Sequence, residues 1–491
     1  MKTRNLVFVF LGAVTLFRLF FVNCFPLLGD EAYYWQWARH LDFGYYEQGP
    51  MVALVIFIFT LFTKVSTVFT IRLGAVILSL GTMTAAYFTF RELRPDDRED
   101  KDNFLNILLM NSSLIYALGA VLMMHDTVMV FFYSLFLYNL TRLIREPESN
   151  MHWAHAGILL GLGIMSKLTM GTVYIAFALF LLITRTFRKY LKGFFFLTLF
   201  MLVFTAPYIY WNFTHDFATV KYLFIRGGSG GGFTLKYLGE LLGSQILLIS
   251  PLLFALFIPA FIKEVKRPSF TVEYAFATLF WASFLPFVLL SIKSRVEANW
   301  PAFTFLPLFF IATNYLSAMS RPARTRTTAV ILATGFFFVA AAHAFAAFSY
   351  SLPEKVNPFK KAYGYKELAD KTYAIMRGTG YKPGNVSGRD TVLLASRHYQ
   401  TASLLSFYME GQPDCYVLIN HESSKNYRFW KNWQKYEKIK DIKCVFVYAE
   451  PWEHAENAVF FDRMLKTEDI TVKYGNYGEK TFKADVLEGI K

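Results

Sequence analysis

Long, almost uniformly apolar runs alternate with short polar segments over residues 1–349. An α-helix needs about 20 apolar residues to cross about 30 Å of hydrocarbon. Runs of this length predict membrane-spanning helices, whereas a soluble chain of similar length would show amphipathic segments. Eleven segments of spanning or near-spanning length are predicted, at residues 5–28, 70–90, 104–123, 126–144, 154–166, 168–184, 193–211, 243–262, 271–292, 300–319 and 328–349.

One further apolar stretch, residues 49–62, is too short to be counted with them. At about 1.5 Å per residue its helix would reach only about 21 Å, which predicts a helix at the membrane interface. The distribution of Lys and Arg over the loops favours leaving this stretch out of the spans. With the N-terminus inside, the predicted cytoplasmic segments hold 17 Lys and Arg and the opposite segments hold 8. The positive-inside rule therefore supports eleven spans, and an odd number places the C-terminal tail outside.

The tail, residues 350–491, has a different pattern. The strand-like runs TVLLA, CYVLI and CVFVYAE alternate with the helix-like runs TASLLSFYME and NAVFFDRMLK, which indicates an α/β domain. The predicted fold is thus an all-α polytopic membrane domain over residues 1–349, with interfacial helices in a first outer loop at 29–69. A C-terminal, extracytoplasmic α/β domain follows it.

Composition agrees with this architecture: 55% of residues are hydrophobic and the mean hydropathy is +0.33. The net charge of +14 is expected of cytoplasmic loops, and no basic stripe with stacking aromatics indicates nucleic acid. The three cysteines, Cys24, Cys415 and Cys444, have no metal-ligand spacing. Cys415 and Cys444 could pair outside the cytosol, but two separately buried thiols are the favoured interpretation.

The first outer loop contains the densest polar chemistry. Residues 27–51, LLGDEAYYWQWARHLDFGYYEQGPM, carry four acidic residues among seven aromatics. Tyr34, Trp37 and Leu41 share one face of a predicted interfacial helix that Gly44 can end. Asp30 at its start is a candidate site carboxylate, and the alternative interpretation is a helix N-cap.

A second acidic point is His125-Asp126, between two predicted spans with almost no loop. An ionisable pair at this depth is costly unless it faces a polar cavity or a partner, so it is a candidate functional site. The alternative is again a cap, with Asp126 heading the next helix.

Basic residues are predicted on the same outer side as these acids. The segment SIKSRVEANWPAF, residues 291–303, supplies Lys293, Arg295 and Asn299 before the chain re-enters the membrane. Such a hairpin could hold a phosphate at the bilayer boundary. For each basic side chain the alternative is interfacial snorkelling. The same side receives Lys167 and Arg226.

These stretches resemble the GT-C class of membrane glycosyltransferases, closest to the bacterial branch with the 4-amino-4-deoxy-L-arabinose lipid A transferase and relatives of the protein O-mannosyltransferases. The resemblance covers roughly residues 1–350. Relatives commonly show His-Pro-Pro or Lys-Pro where this chain has Gln48-Gly49-Pro50, which leaves the choice of acceptor and sugar open. The matching stretches are GDEAYYWQWARHLDFGYYEQGPMVAL, HDTVMVFFYSLFLY, GLGIMSK, NWPAF and, in the tail, YQTASLLSFYMEGQP.

The resemblance implies a sugar donor linked to polyprenyl phosphate, a lipid, glycan or protein acceptor, and a site on the outer face of a bacterial inner membrane. No nucleotide is implied. Asp30 would be the catalytic base, with Glu47 and Asp126 as further site carboxylates. A phosphate acceptor would need no deprotonation, and Asp30 would then orient it. The substrate-binding candidates are Glu31, Tyr45, His125, Lys167, Arg226, Lys293, Arg295 and Asn299.

A divalent cation is a further expectation, with Asp30, His125 and Asp126 as candidate ligands. Carboxylate oxygens suit magnesium or manganese, while His125 leaves zinc open. Two other function classes suit the same membrane pattern. A transporter or lipid flippase would carry paired halves and discontinuous helices near the midplane, and no half-repeat is found here. A binding or assembly protein would keep the scaffold without catalysis.

Overall fold

Two units make up the chain in a computed structural model. The membrane unit contains Met1–Val22, Leu41–Phe59 and Phe69–Ala344, and the tail unit contains Asn23–His40, Thr60–Val68 and Phe345–Lys491. The tail unit thus adds two pieces of the first outer loop to the C-terminal segment. The structure describes residues 3–97, 99–228, 232–357, 359–382, 392–417, 422–430, 442–449, 461–473, 475–476 and 478–490.

Helices form most of the described chain. Short 3₁₀ turns occur at Gly119–Val121, Leu168–Met170 and Ala302–Phe305. The α-helices are α1 (Thr3–Phe21), α2 (Gly29–Arg39), α3 (Met51–Phe59), α4 (Val68–Leu93), α5 (Lys101–Asn111), α6 (Leu114–Leu118), α7 (His125–Arg145), α8 (Asn150–Ser166), α9 (Gly171–Ile183), α10 (Leu191–Thr214), α11 (Ala218–Gly228), α12 (Lys236–Ile249), α13 (Pro251–Val265), α14 (Val272–Ser291), α15 (Leu306–Ser317), α16 (Arg321–Ala347), α17 (Tyr365–Thr379) and α18 (Tyr399–Tyr408).

Six of the described helices are long and apolar enough to cross a membrane: α1, α4, α7, α10, α14 and α16. Two bent pairs, Lys101–Asn111 with Leu114–Val121 and Lys236–Ile249 with Pro251–Val265, raise the number to eight if each is one span. The predicted segments 154–166, 168–184 and 300–319 form shorter helices. Eleven spans therefore remain a prediction. The interfacial stretch contains the nine-residue α3, which is too short to cross.

The first bent pair, which turns by 82°, is held by a buried arginine. Arg18 on α1 donates to the side-chain oxygen of Asn111 at 3.0 Å and to the carbonyl of Tyr116 at 2.9 Å. A third hydrogen bond reaches Ser79 at 2.9 Å. A break in a membrane helix frees backbone groups that hydrocarbon cannot satisfy, and side-chain donors compensate for them. Arg18 thus stabilises the bend, although its burial is costly.

A mixed five-stranded sheet forms the core of the tail unit, in the order β2-β1-β3-β5-β4. The first three strands pair in parallel, and β5 pairs antiparallel with β3 and β4. Every residue of β1 is buried, as expected of a parallel strand covered on both faces. The strands are β1 (Val392–Ser396), β2 (Cys415–Val417), β3 (Lys443–Ala449), β4 (Phe461–Lys473) and β5 (Glu479–Ile490).

Two predictions for the tail are decided by this sheet. The run NAVFFDRMLK was predicted as a helix, but its described part belongs to β4, so that prediction is wrong; residues 457–460 lie outside the described part. Pairing with β5 along an edge outweighed the helix-like spacing. Cys415 on β2 and Cys444 on β3 are separated by β1 and are free thiols, which confirms the favoured interpretation. Burial raises the pKa of both thiols.

Helix α2 packs against α18, so the first outer loop contributes to the tail unit. The rings of Trp35 and Phe407 are 5.2 Å apart, edge to face. Arg39 forms a 2.7 Å ion pair with Asp414. The sequence predicted that this helix ends at Gly44. In the structure it ends at Arg39. Gly44 lies in the membrane unit, where a Cβ would come within 2.7 Å of the Tyr208 ring, so close packing explains this glycine.

Candidate active site

The first turn of α7 presents Asp126 to two donors from distant parts of the membrane unit. The ammonium of Lys167 lies 2.6 Å from Asp126 Oδ1, and the Asn299 amide donates to Oδ2 at 2.8 Å. We call Asp126, Lys167 and Asn299 the Asp126 cluster. The Lys167 side chain is 6% exposed and that of Asp126 is 23% exposed. A charge buried to this degree needs a partner, and each member of the ion pair supplies one.

A short turn after α8 places Lys167, and the first outer loop fixes that turn. The Gln48 side chain accepts from the backbone N–H of Leu168 at 3.2 Å. A Cβ at Gly49 would lie 2.0 Å from the carbonyl oxygen of Met165, so only glycine allows this approach. The Gln48-Gly49 pair that departs from the family pattern therefore supports the Lys167 turn in this chain.

A cavity of about 440 Å³ in the membrane unit is lined by two members of the Asp126 cluster, Asp126 and Asn299. Its polar groups include Asp126, Glu297 and Asn299. Most of the remaining wall is apolar, which suits a hydrocarbon chain with one polar end. Apolar residues in the wall include Leu114, Ile115, Leu122, Val130, Leu248 and Phe303.

Glu47 and Tyr45 lie on the loop between α2 and α3, against α11. The hydroxyl of Tyr222 donates to Glu47 Oε1 at 3.2 Å, and the Thr219 hydroxyl donates to the Tyr45 carbonyl at 2.8 Å. The Tyr45 hydroxyl accepts from the backbone N–H of Asp42. Burial raises the pKa of Tyr45, which keeps the phenol neutral. This loop is therefore anchored to the membrane unit by both backbone and side-chain bonds.

Asp30 belongs to the tail unit and is held by the first two residues of α18. Its Oδ1 accepts from the Tyr399 hydroxyl at 3.0 Å and from the Gln400 amide at 2.8 Å. Neither donor carries a charge. Beside Asp30, the buried Glu31 carboxylate accepts from the backbone N–H of Leu28 at 3.1 Å, so Glu31 caps α2.

The cap interpretations of the two acids are therefore wrong. Leu28 is the N-cap of α2, and Met124 is the N-cap of α7. The carboxylates of Asp30 and Asp126 instead bind side chains that come from elsewhere in the chain. Asp126 is neutralised by an ammonium, whereas Asp30 forms no ion pair with the described residues. The two carboxylates thus lie in different electrostatic surroundings.

The other predicted binding residues are distributed over the membrane unit. Lys293 and Arg295 are exposed on the loop that carries Asn299. His125 is buried at the start of α7. The backbone of Arg226 belongs to α11, and its side chain lies outside the described part.

The metal expectation does not fit the Asp126 cluster. Both carboxylate oxygens of Asp126 accept from donors, one of which is cationic, and a divalent cation at the same oxygens would face the ammonium of Lys167. Over the ranges that the structure describes, no three His, Cys, Asp or Glu side chains form a metal-binding group.

The membrane unit thus brings Asp126, Lys167 and Asn299 together, although they are 41 and 173 residues apart in the chain. A common cavity that also contains Asp30 and Glu47 stays a prediction. Sequence reasoning missed Tyr399 and Gln400. The only signal for them was the family-like stretch YQTASLLSFYMEGQP, which by itself assigned no role to either residue.

Comparisons with known proteins agree with this architecture. Residues 47–211 match the family described as dolichyl-phosphate-mannose-protein mannosyltransferase. The chain is 25% identical over 306 residues to the lipid A galacturonosyltransferase RgtD of Rhizobium johnstonii. The alignment covers 61% of this chain and spans 63% of the length of that relative.

Solved structures with the same fold include ArnT from Cupriavidus metallidurans. The form bound to undecaprenyl phosphate has a TM-score of 0.64 at 13% identity and 97% coverage of both chains. The apo form has a TM-score of 0.65 at 13% identity, and the match covers 99% of this chain and 98% of the ArnT chain. The chain therefore resembles the GT-C class of membrane glycosyltransferases. ArnT is one member of that class whose fold it shares.

Proposed function

We propose that this protein is an integral-membrane glycosyltransferase that moves a sugar from a polyprenyl-phosphate donor to a lipid acceptor of the lipid A type. The observation that carries the proposal is a largely apolar cavity whose wall includes Asp126, the ion-pair partner of the buried Lys167. A prenyl chain needs an apolar wall, and its phosphate needs a cation at the point where the wall ends. The RgtD and ArnT likenesses support the choice of donor and acceptor.

The donor phosphate would meet Lys167. An ammonium has three N–H donors, and Asp126 occupies one of them, so the others can face a phosphate. Lys293 and Arg295, exposed on the loop before Asn299, would add positive charge as the phosphate leaves. In this arrangement Asp126 orients Lys167 and does not act as the base, because its oxygens are already engaged.

Asp30 is the better candidate for the base, since neutral groups hold one of its oxygens. It would take the proton of an acceptor hydroxyl while the acceptor oxygen forms a bond to the anomeric carbon of the sugar. The bond from that carbon to the phosphate oxygen breaks, and polyprenyl phosphate leaves with the electron pair. A positioned base contributes about 10²- to 10⁴-fold to the rate.

We place this reaction on the outer face of a bacterial inner membrane. The support is the excess of Lys and Arg on the predicted cytoplasmic loops, 17 against 8. A donor presented on a lipid phosphate also needs no nucleotide at that surface.

The test uses the full-length protein in liposomes with lipid A and undecaprenyl phosphate carrying labelled galacturonic acid or 4-amino-4-deoxy-L-arabinose. We expect labelled lipid A by mass spectrometry from one of these donors. The variant Asp30→Asn should lose at least about 100-fold in rate with an unchanged melting temperature. Normal turnover by this variant would contradict the assigned role. Movement of unaltered donor across the bilayer without transfer would favour a flippase.

A further inference from the structure

Gly29, at the start of α2, lies in close contact with the side chain of Gln400. A Cβ on Gly29 would lie 2.9 Å from Cβ of Gln400 and 3.1 Å from its amide carbon. Only a hydrogen atom fits there without displacing the glutamine. Gly29 therefore lets the Gln400 side chain lie against the first turn of α2, where its amide reaches Asp30.

Two donors converge on one oxygen of Asp30. The Tyr399 hydroxyl and the Gln400 amide both donate to Oδ1, and no described group donates to Oδ2. A carboxylate held at one oxygen by two bonds cannot rotate freely about its terminal torsion. The second oxygen is therefore kept in one direction and free to accept a proton.

Both donors are themselves fixed. His398 caps α18 by accepting the backbone N–H of Gln400 at its Nδ1. The Tyr399 ring packs edge to face on Tyr33 of α2, with ring centres 4.6 Å apart. The ammonium of Lys425 lies 5.0 Å from the centre of the same ring, a favourable cation–π distance. Tyr399 and Gln400 are thus preorganised by the tail unit.

We propose that Tyr399 and Gln400 are positioning residues for Asp30, and that Gly29 is kept as glycine to admit Gln400. This inference rests on the proposed function, in which Asp30 is the base. The hydroxyl of Tyr399 and the amide of Gln400 suit this role because both are uncharged. An ammonium, as at Asp126, would compete for the negative charge that must accept a proton, whereas a phenol and an amide orient the carboxylate and leave that charge available.

The experiment measures kcat and donor KM for full-length Tyr399→Phe and Gln400→Met in the liposome assay. Loss of one neutral hydrogen bond should lower kcat about 2- to 12-fold. The KM for the sugar donor should stay unchanged, because the polyprenyl-phosphate sugar does not contact Tyr399 or Gln400 in the proposed arrangement. The double variant should lose more than either single variant. In the Asp30→Asn background neither substitution should lower the rate further, since the group that they orient is absent.

Two further variants separate positioning from general damage to the helix. Tyr427→Phe removes a hydroxyl that bonds Ser403 on the same helix and lies outside the proposed site, so kcat should stay at the wild-type value. Gly29→Ala should lower kcat by displacing Gln400. Adding Gln400→Ala to it removes the contacts with the Gln400 Cγ and amide carbon but keeps the one with Cβ. The double variant should therefore regain only part of the lost melting temperature, and kcat should stay low.

The outcomes distinguish the two proposals. If Asp30→Asn is inactive while Tyr399→Phe and Gln400→Met keep the wild-type kcat, the positioning inference is overturned and the proposed function stands. If Asp30→Asn turns over normally, Asp30 is not the base and both assignments are overturned. A wild-type protein that transfers neither sugar would overturn the proposed function and the inference that rests on it. Lower kcat at constant KM, with no further loss in the Asp30→Asn background, supports the inference.

Discussion

Replacement of Lys167 by methionine tests the ion pair that organises the Asp126 cluster. The pair spans 2.6 Å, and its lysine side chain is 6% exposed. Removing one partner of a buried pair costs about 3–5 kcal/mol, because the remaining charge is left uncompensated. Asp126 is 23% exposed and keeps its bond from Asn299, so we expect Lys167→Met to cost about 3 kcal/mol, at the lower end of that range.

Neutralising the orphaned acid should reverse the loss. The double variant Lys167→Met with Asp126→Asn leaves no buried charge in the cluster, and its stability should return to within about 1 kcal/mol of wild type. Transfer should stay low in both variants, because neither has the cation that we propose binds the phosphate of the sugar donor. Stability and activity therefore separate in the double variant.

The assay is thermal unfolding of the detergent-solubilised protein, together with labelled transfer in liposomes. The control is Lys371→Met, which removes a 2.8 Å pair with Glu367 whose side chains are 48% and 41% exposed. Exposed pairs contribute about 0–1 kcal/mol, so its melting temperature should barely change. If Lys167→Met melts and transfers like wild type, the ion pair has neither the structural nor the catalytic importance argued above.

Two other predictions concern the loop and the helix cap. Gly49→Ala would put a methyl group 2.0 Å from the Met165 carbonyl and should lower both melting temperature and transfer, whereas Gly12→Ala, with no atom within 4 Å, should do neither. Burial, and then the charge of Lys425, lower the pKa of His398 below its ordinary 6.5. The unfolded chain therefore binds more protons than the folded chain between the two values, and stability should fall as pH drops through that interval. His398→Asn, which keeps a capping side chain, should show a smaller decrease in melting temperature between pH 7 and 5; an identical decrease would contradict the argument.

The membrane class and the main candidate acids could be predicted from local sequence. Apolar runs predict membrane-spanning helices, because each segment that crosses the hydrocarbon must itself be apolar. An ionisable pair such as His125-Asp126 between two such runs stands out because its burial is costly. These signals lie within a few residues of one another, so one sequence is enough to read them.

Other features were outside the reach of local patterns. The helix predicted over NAVFFDRMLK became part of β4, because an edge strand depends on its partner β5 and not on its own spacing. Hydropathy predicted one continuous span at 104–123 and another at 243–262. The structure divides each of them by a bend, between α5 and α6 and between α12 and α13. The first bend depends on Arg18, which is 93 residues from Asn111.

The sequence by itself determined that this is a polytopic membrane protein with acids and cations at its polar loops, because burial of apolar surface and the cost of buried charge act on each segment separately. Only the tertiary structure decided which groups meet. It paired Asp126 with Lys167 and Asn299, and it set Gln400 on Asp30 across 370 residues of chain. Such partners leave no local signature, because the packing of distant elements, and not their own composition, brings them within hydrogen-bond distance.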